Sequence, residues 1–284
     1  MAVNTRTQLT AVATLLAAGL ALAAWFGLRQ PAGHSAVPLP PGTSVQAALF
    51  RELQPVPLVN CDLQRFGEPH DGGYLMCANL LRDVAAGYSY GIGGEDSWGC
   101  GISALLEVPV HQYDCLDQTP PACAAGRTIF HAECVAGHTF RDAQGRPFDT
   151  LENQLARNGH AAQRVVLKMD VEGSEWESLR RTPDEVLRRI DQLAIEFHGV
   201  DQVHYLDLVR RLRQFFHVAH LHFNNYTCLE TDEHAPFPAR AYQVLLVNQR
   251  LAEVDPHGRV ELPHPQDAPS APDRPDCQRV PPVM

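Results

Sequence analysis

The sequence predicts an α/β fold: a mostly parallel sheet with helices on both faces and an antiparallel strand at its end. Three observations predict it. Short apolar or aromatic runs alternate with helical patterns along the chain, the order that builds a parallel sheet. The apolar run VVLKM (165–169) ends abruptly in DVEGSE, and ligands of open α/β sheets bind outside the carboxyl ends of the strands. The last two apolar runs, 217–223 and 242–247, have no helical pattern between them. A connection by loop alone points to an antiparallel final strand.

The chain has 284 residues, 45% of them hydrophobic, enough for a sizeable core. A formal net charge of -10 argues against a nucleic-acid backbone as main partner and suits a small-molecule ligand. After a short flank (1–8), residues 9–27 carry no charge and approach bilayer-spanning length, with Trp25 and Phe26 suited to the interfacial belt. They are read as a single-pass membrane anchor, with a cleaved signal peptide as the rival. A Pro-rich linker (28–44) leads to the folded domain (45–262), and a Pro- and Asp-rich segment (263–284) reads as a loose tail. Eight cysteines behind such a segment permit disulfides. Cys61 and Cys77, flanking a turn-rich segment, are the first pair expected to bridge. The absence of C-x-x-C makes a zinc ribbon or redox dithiol a poor fit.

In order, RFGEPHDGGYLMC (65–77) holds an Asp71-Gly72-Gly73 turn and reads as a hairpin, with closure of a ligand pocket as an added role. YSYGI (88–92) is a strand ended by Gly93 and Gly94, and Asp96 or Ser97 caps the next helix. Strands follow at 108–113 and 128–135. Asp149-x-x-Glu152 opens a helix as a capping box, and Gly159 stops it. After the 165–169 strand, Ser174-x-x-Glu177 offers a second box, and Thr182-Pro183-Asp184-Glu185 a third start. LAIEF (193–197) is a strand. The helix expected at 201–216 places Tyr205, Leu208, Val209, Leu212 and Phe216 on one face.

The chemistry-bearing residues gather at strand ends. Gly91-x-Gly93-Gly94 lies between strand and helix, where glycines admit a ligand close to the backbone. Glu95 and Asp96 there oppose a pyrophosphate and tolerate a positively charged ligand. Asp114, about 20 residues on, stands where an acid holds ribose hydroxyls, with Asp117 as the alternative. Asp170 and Glu172 share a face if the chain stays extended. Glu196 and His198 end the following strand and converge with them in a doubly wound sheet. His220 and His222 alternate on the next strand, before Asn224 and Asn225. Some of Asp170, Glu196 and His222 could ligate a divalent metal, but no H-E-x-x-H or similar spacing supports one, and none is assigned.

LKMDVEGSEWE resembles the K-x-D-x-E-G-x-E motif of FkbM-type methyltransferases. FGEPHDGGYLMC, YSYGIGGEDSWG, YDCLDQT, IEFHG and LHFNNY resemble further blocks of the membrane-anchored, methyltransferase-like branch of that group, from residue 61 to 248. One departure stands out: Ser89 or Tyr90 occupies the position where methyltransferases usually carry an acid before the glycines. The resemblance implies a Rossmann-like class I methyltransferase fold, a seven-stranded sheet with its last strand antiparallel, and S-adenosyl-L-methionine as cofactor. It implies that Gly91 and Gly93 lie against the methionine and ribose part, that Asp114 holds the ribose, and that Asp170 and Glu172 lie where the methyl group is transferred. The expected reaction is O-methylation of a small-molecule, sugar or lipid hydroxyl. His198 is the expected general base, oriented by Glu196 or Asp170, with His222 in reserve. The rival expectations are a membrane-tethered, non-catalytic binding domain on the same fold and an NAD-dependent oxidoreductase.

Overall fold

A computed structural model of the chain describes residues 39–231 and 236–277. The expected anchor at 9–27 lies outside the described residues. Among the described residues no helix is long and apolar enough to cross a membrane.

The elements run α1 (Val45–Glu52), β1 (Leu63–Phe66), β2 (Tyr74–Cys77), β3 (Ala86–Tyr90), α2 (Ser97–Leu106), β4 (Pro109–Tyr113) and β5 (Arg127–His131). Three short strands follow, β6 (Cys134–Val135), β7 (Phe140–Arg141) and β8 (Pro147–Asp149), then α3 (Leu151–Arg157) and β9 (Val165–Met169). The chain continues through α4 (Ser174–Arg181), α5 (Asp184–Leu187), β10 (Ile190–His198), α6 (Val203–Leu212), β11 (Phe216–Phe223) and β12 (Ala241–Asn248). Seven strands form the central sheet in the order β11-β12-β10-β9-β3-β4-β5. From β5 to β10 all neighbours are parallel, whereas β12 is antiparallel to both β10 and β11. The loop-only connection foretold this reversal.

Both faces of the sheet are buried, which is why its central strands β3 and β9 are buried at every position rather than at alternate ones. Along β9, Val165, Leu167 and Met169 join the core under α1, α3, α4 and α6, while Val166 faces the opposite core. That second core is filled by Trp98 and Ile102 of α2 and by Tyr74 and Met76 of the β1–β2 hairpin. The hairpin therefore acts as a layer. Gln192 of β10 fastens it, donating to the Cys77 carbonyl and accepting from the Cys77 amide at 2.9 Å each.

Several local expectations are corrected. The region read as one strand at 128–135 is two, β5 and β6, and β6 belongs to a separate three-stranded sheet with β7 and β8. Thr150, rather than Asp149, caps α3 by accepting the Asn153 amide. Ser174 does not cap α4. Gly173 is its N-cap in left-handed conformation (φ 102°), and Glu175 accepts the Gly173 amide instead. The expected helix at 201–216 ends at Leu212, and Phe216 opens β11.

The tail is also corrected. Through residue 277 it is packed against the domain, because it brings polar partners to buried groups. Asn225 accepts the Ala271 amide at 2.7 Å and donates to the Ala271 carbonyl at 2.9 Å. Asp267 lies 3.0 Å from Nε2 of His220. A disulfide joins Cys277 to Cys228, and the others are Cys61–Cys77, as expected, Cys100–Cys123 and Cys115–Cys134. No cysteine is left free.

On the α3 side, Tyr88, Tyr113, His111 and His131 stack along β3, β4 and β5. Burial, then the neighbouring His131, His160 and Arg127, push His111 down from its ordinary 6.5 to about 4. The neutral imidazole is the form that fits, so its contribution is full above the unfolded value and fades as acid protonates it in the folded chain. The melting temperature should therefore fall as pH drops from 6.5 towards about 4. A pH series of thermal melts should show a shallower fall for His111→Phe, which keeps an aromatic ring in the stack and removes the titration; an unchanged slope would remove His111 from the acid limb.

Candidate functional site

The strand order reverses between β3 and β9, and such a switch point opens a crevice at the carboxyl ends of the strands. At the end of β3 the chain turns sharply through Gly91, Gly93 and Gly94, all with positive φ. Gly91 is dictated by proximity. A Cβ there would lie 1.6 Å from the Asp170 carbonyl oxygen at the end of β9. The Asp170 amide in turn donates to the Tyr90 carbonyl at 3.0 Å, so the two strand ends are locked together.

Asp114, at the end of β4, holds the turn from the other side. Its Oδ2 accepts the amides of Ile92 (3.1 Å) and Gly93 (2.9 Å), and its Oδ1 those of Leu116 (2.8 Å) and Asp117 (3.0 Å). Four backbone amides thus occupy a carboxylate that the sequence assigns to ribose. Asp117 lies closer to the last glycine: a Cβ at Gly94 would meet its Oδ2 at 2.8 Å. Asp96 caps α2 through the Gly99 amide and accepts from Gln112 at 2.9 Å.

A cavity of about 240 Å³ lies against this turn. Gly91, Gly93 and Ser97 line one side, Glu68 and Asp71 of the hairpin loop another, and Lys168 and Asp170 the base. Its carboxylates outnumber its cations. The single lysine is spoken for, since its Nζ donates to the Gly91 carbonyl at 2.6 Å and lies 5.5 Å from the Tyr74 ring centre. Burial, then the Asp170 charge, raise the Asp71 carboxyl above its ordinary range. The hairpin loop thus borders the cavity through Glu68, Asp71 and Gly72.

Beside the cavity four acids surround one histidine. Asp170, Glu196 and His198 converge as expected, their donor atoms within 4.8 Å of one another. Nε2 of His198 lies 3.7 Å from Asp170, 3.6 Å from Glu196 and 3.5 Å from Glu172. Glu172 does not share a strand face with Asp170. It adopts left-handed φ (53°), and its side chain is 82% exposed. Glu175, which sequence reasoning treated as part of a helix start, is fully buried and accepts the His198 amide at 2.8 Å. The missed signal is an acid at the second position of a helix whose first turn faces a strand end bearing histidine.

Each carboxylate has its own support. Tyr74 donates to Asp170 at 2.8 Å, and Asn224 and Gln243 donate to Glu196 at 2.8 and 3.3 Å. Burial, then the Asp170 charge, push Glu196 up to about 8. Burial works to lower His198, but the hydrogen bond and charge of Glu175, with Asp170 and Glu196 beyond it, outweigh that and raise it to about 9.

His222 stands apart from this cluster. It is buried with Nδ1 3.8 Å from Asp267, and it lines a second cavity of about 210 Å³ with Leu262, Pro263 and Asp276. Burial lowers its imidazole first, against the opposing pull of Asp267.

A seven-stranded sheet with its last strand antiparallel, and a glycine turn at the switch point, is the Rossmann-like class I methyltransferase fold. No protein-family model matches the sequence, and no curated protein does. Among solved structures the chain is similar to an rRNA methylase from Streptococcus thermophilus, with 14% identity, 60% of this chain and 90% of that chain covered, and a TM-score of 0.34. The strand order defines the fold; this likeness adds nothing to it.

The two glycines separate close approach from conformation. Gly93 has nothing within 4 Å of a would-be Cβ, so Gly93→Ala should cost only about 1–2 kcal/mol, the strain of a left-handed alanine. Gly91→Ala drives into backbone and should cost more than about 4 kcal/mol. Urea melts of the two variants compare them directly; equal losses would mean that the two strand ends are not locked at Gly91.

Proposed function

We propose that the domain is an S-adenosyl-L-methionine-dependent methyltransferase that acts on a hydroxyl of a small-molecule, sugar or lipid acceptor. The observation that carries this reading is the acid-rich cavity at the glycine turn. A sulfonium carries positive charge, and Asp71, Asp96, Glu95 and Asp170 around the cavity favour it. The pyrophosphate of a nicotinamide cofactor meets the same groups as repulsion, and the only lysine lining the cavity is turned onto backbone carbonyls. The resemblance of LKMDVEGSEWE to the FkbM-type motif supports the same conclusion.

Gly91 and Gly93 let the cofactor approach the backbone, and Gly94 sits beside Asp117. With the Asp114 carboxylate occupied by four amides, Asp117 takes the ribose hydroxyls and Asp114 shapes the turn that presents them. Methyl transfer is an in-line displacement, so the protein supplies alignment and a sink for the hydroxyl proton. The sink is the Asp170, Glu196 and His198 cluster. The net charge of -10 disfavours a nucleic-acid acceptor. Four disulfides support a setting in an oxidising compartment.

In thermal-shift measurements S-adenosylhomocysteine should raise the melting temperature and NAD should not; the opposite order would replace this reading with the oxidoreductase. For transfer of a labelled methyl group to hydroxyl acceptors, Asp170→Asn should lower turnover by about 100-fold, the scale of lost acid–base assistance. Its binding of S-adenosylhomocysteine should stay near normal. Normal turnover in a variant that melts early would make Asp170 a strand-end anchor.

A further inference from the structure

The His198 ring is oriented from behind. Its Nδ1 lies 3.3 Å from Oε1 of Glu175, a residue with no solvent exposure. The other Glu175 oxygen accepts the Gly173 amide at 2.8 Å, so this carboxylate cannot swing away. A carboxylate fixed on Nδ1 keeps a proton there and turns Nε2 to the other carboxylates, where a cation would take the place of the Nε2 proton. Around Nε2 the oxygens of Asp170, Glu196 and Glu172 stand at 3.7, 3.6 and 3.5 Å. These separations are too long for good hydrogen bonds. They match the spacing of ligand atoms that each sit about 2.0–2.2 Å from a shared ion.

We propose that Asp170, Glu196 and His198 form a divalent-cation site at the carboxyl ends of β9 and β10, with Glu175 as its positioning residue. Their three donor atoms already lie within 4.8 Å of one another. Two carboxylates balance the charge of a dication. The imidazole nitrogen favours zinc over magnesium, calcium and manganese, which prefer oxygen ligands, so manganese serves as the spectroscopic probe and zinc as the tighter competitor. Each ligand also has the outer partner that metal ligands carry: Glu175 for His198, Tyr74 for Asp170, and Asn224 for Glu196. Three protein ligands leave a position open, as in catalytic zinc sites. Asp170 also lines the cavity, which places the open position beside it. A cation there would acidify a bound hydroxyl, its proton passing to the exposed Glu172 carboxylate in place of the cluster, with His198 as ligand rather than base; that role rests on the methyl-transfer reading, whereas the binding does not.

The test uses the full chain, treated with chelator and titrated with MnCl2 under electron paramagnetic resonance, then with ZnCl2 in competition. One Mn2+ site per chain, displaced by Zn2+, is expected. Asp170→Asn and His198→Gln should weaken it by at least about 100-fold, and Glu175→Gln, which touches no ion, by about 10–100-fold with an unchanged circular dichroism spectrum. Asparagine at 170 can still accept the Tyr74 hydroxyl, so that variant reports on binding even if Glu175→Gln misfolds. No turnover is read, so a failed methyl-transfer assay leaves this result standing. The assignment is overturned if no one-to-one site forms at millimolar Mn2+, or if the site survives both Asp170→Asn and His198→Gln.

Discussion

The carbonyl oxygen of Asp170 occupies the space that any side chain at position 91 would need. Everything at the carboxyl edge depends on that contact. It brings the end of β9 against the turn after β3, where the strand order reverses, and so fixes the floor of the cavity. The Asp170 amide and the Lys168 ammonium both bond to carbonyls of the same turn, which closes the joint from three sides. A cleft between two strands that cannot part is a preorganised site.

Charge is the second constraint. The site concentrates carboxylates in a partly buried crevice, which is costly unless each is paired or hydrogen-bonded. Here the compensation is local. Glu175 is held by two backbone amides, Glu196 by two side-chain amides and Asp170 by a phenol. What remains uncompensated points towards His198 and the cavity. A positively charged ligand is the natural complement on the cavity side, and a dication on the histidine side.

Much of this was legible in the sequence. The parallel core showed as apolar runs between helical patterns, and the lack of a helical pattern before Tyr242 showed the reversed strand. Asp170, Glu196 and His198 could be brought together because consecutive strand ends in a doubly wound sheet are neighbours. Other features were hidden for physical reasons. Glu172 left its expected face because the chain turns into left-handed conformation there, a choice made by the closing strand ends. Asp114 was visible as an acid at the right distance, but its four amide partners exist only once the turn has formed. Glu175 looked like a solvated helix acid because only tertiary contact buries it. The tail read as loose by composition, and it is ordered through residue 277 by Cys228, Asn225 and the His220–Asp267 pair, partners far away in sequence.

The central claim is that the crevice between β3 and β9 binds a sulfonium nucleoside. A crystal structure of the domain grown with saturating S-adenosylhomocysteine tests it most directly. The account predicts ligand density in the cavity beside Gly91, Gly93, Asp117 and Asp170. Ligand density anywhere else, or a vacant cavity at saturating ligand, would contradict it.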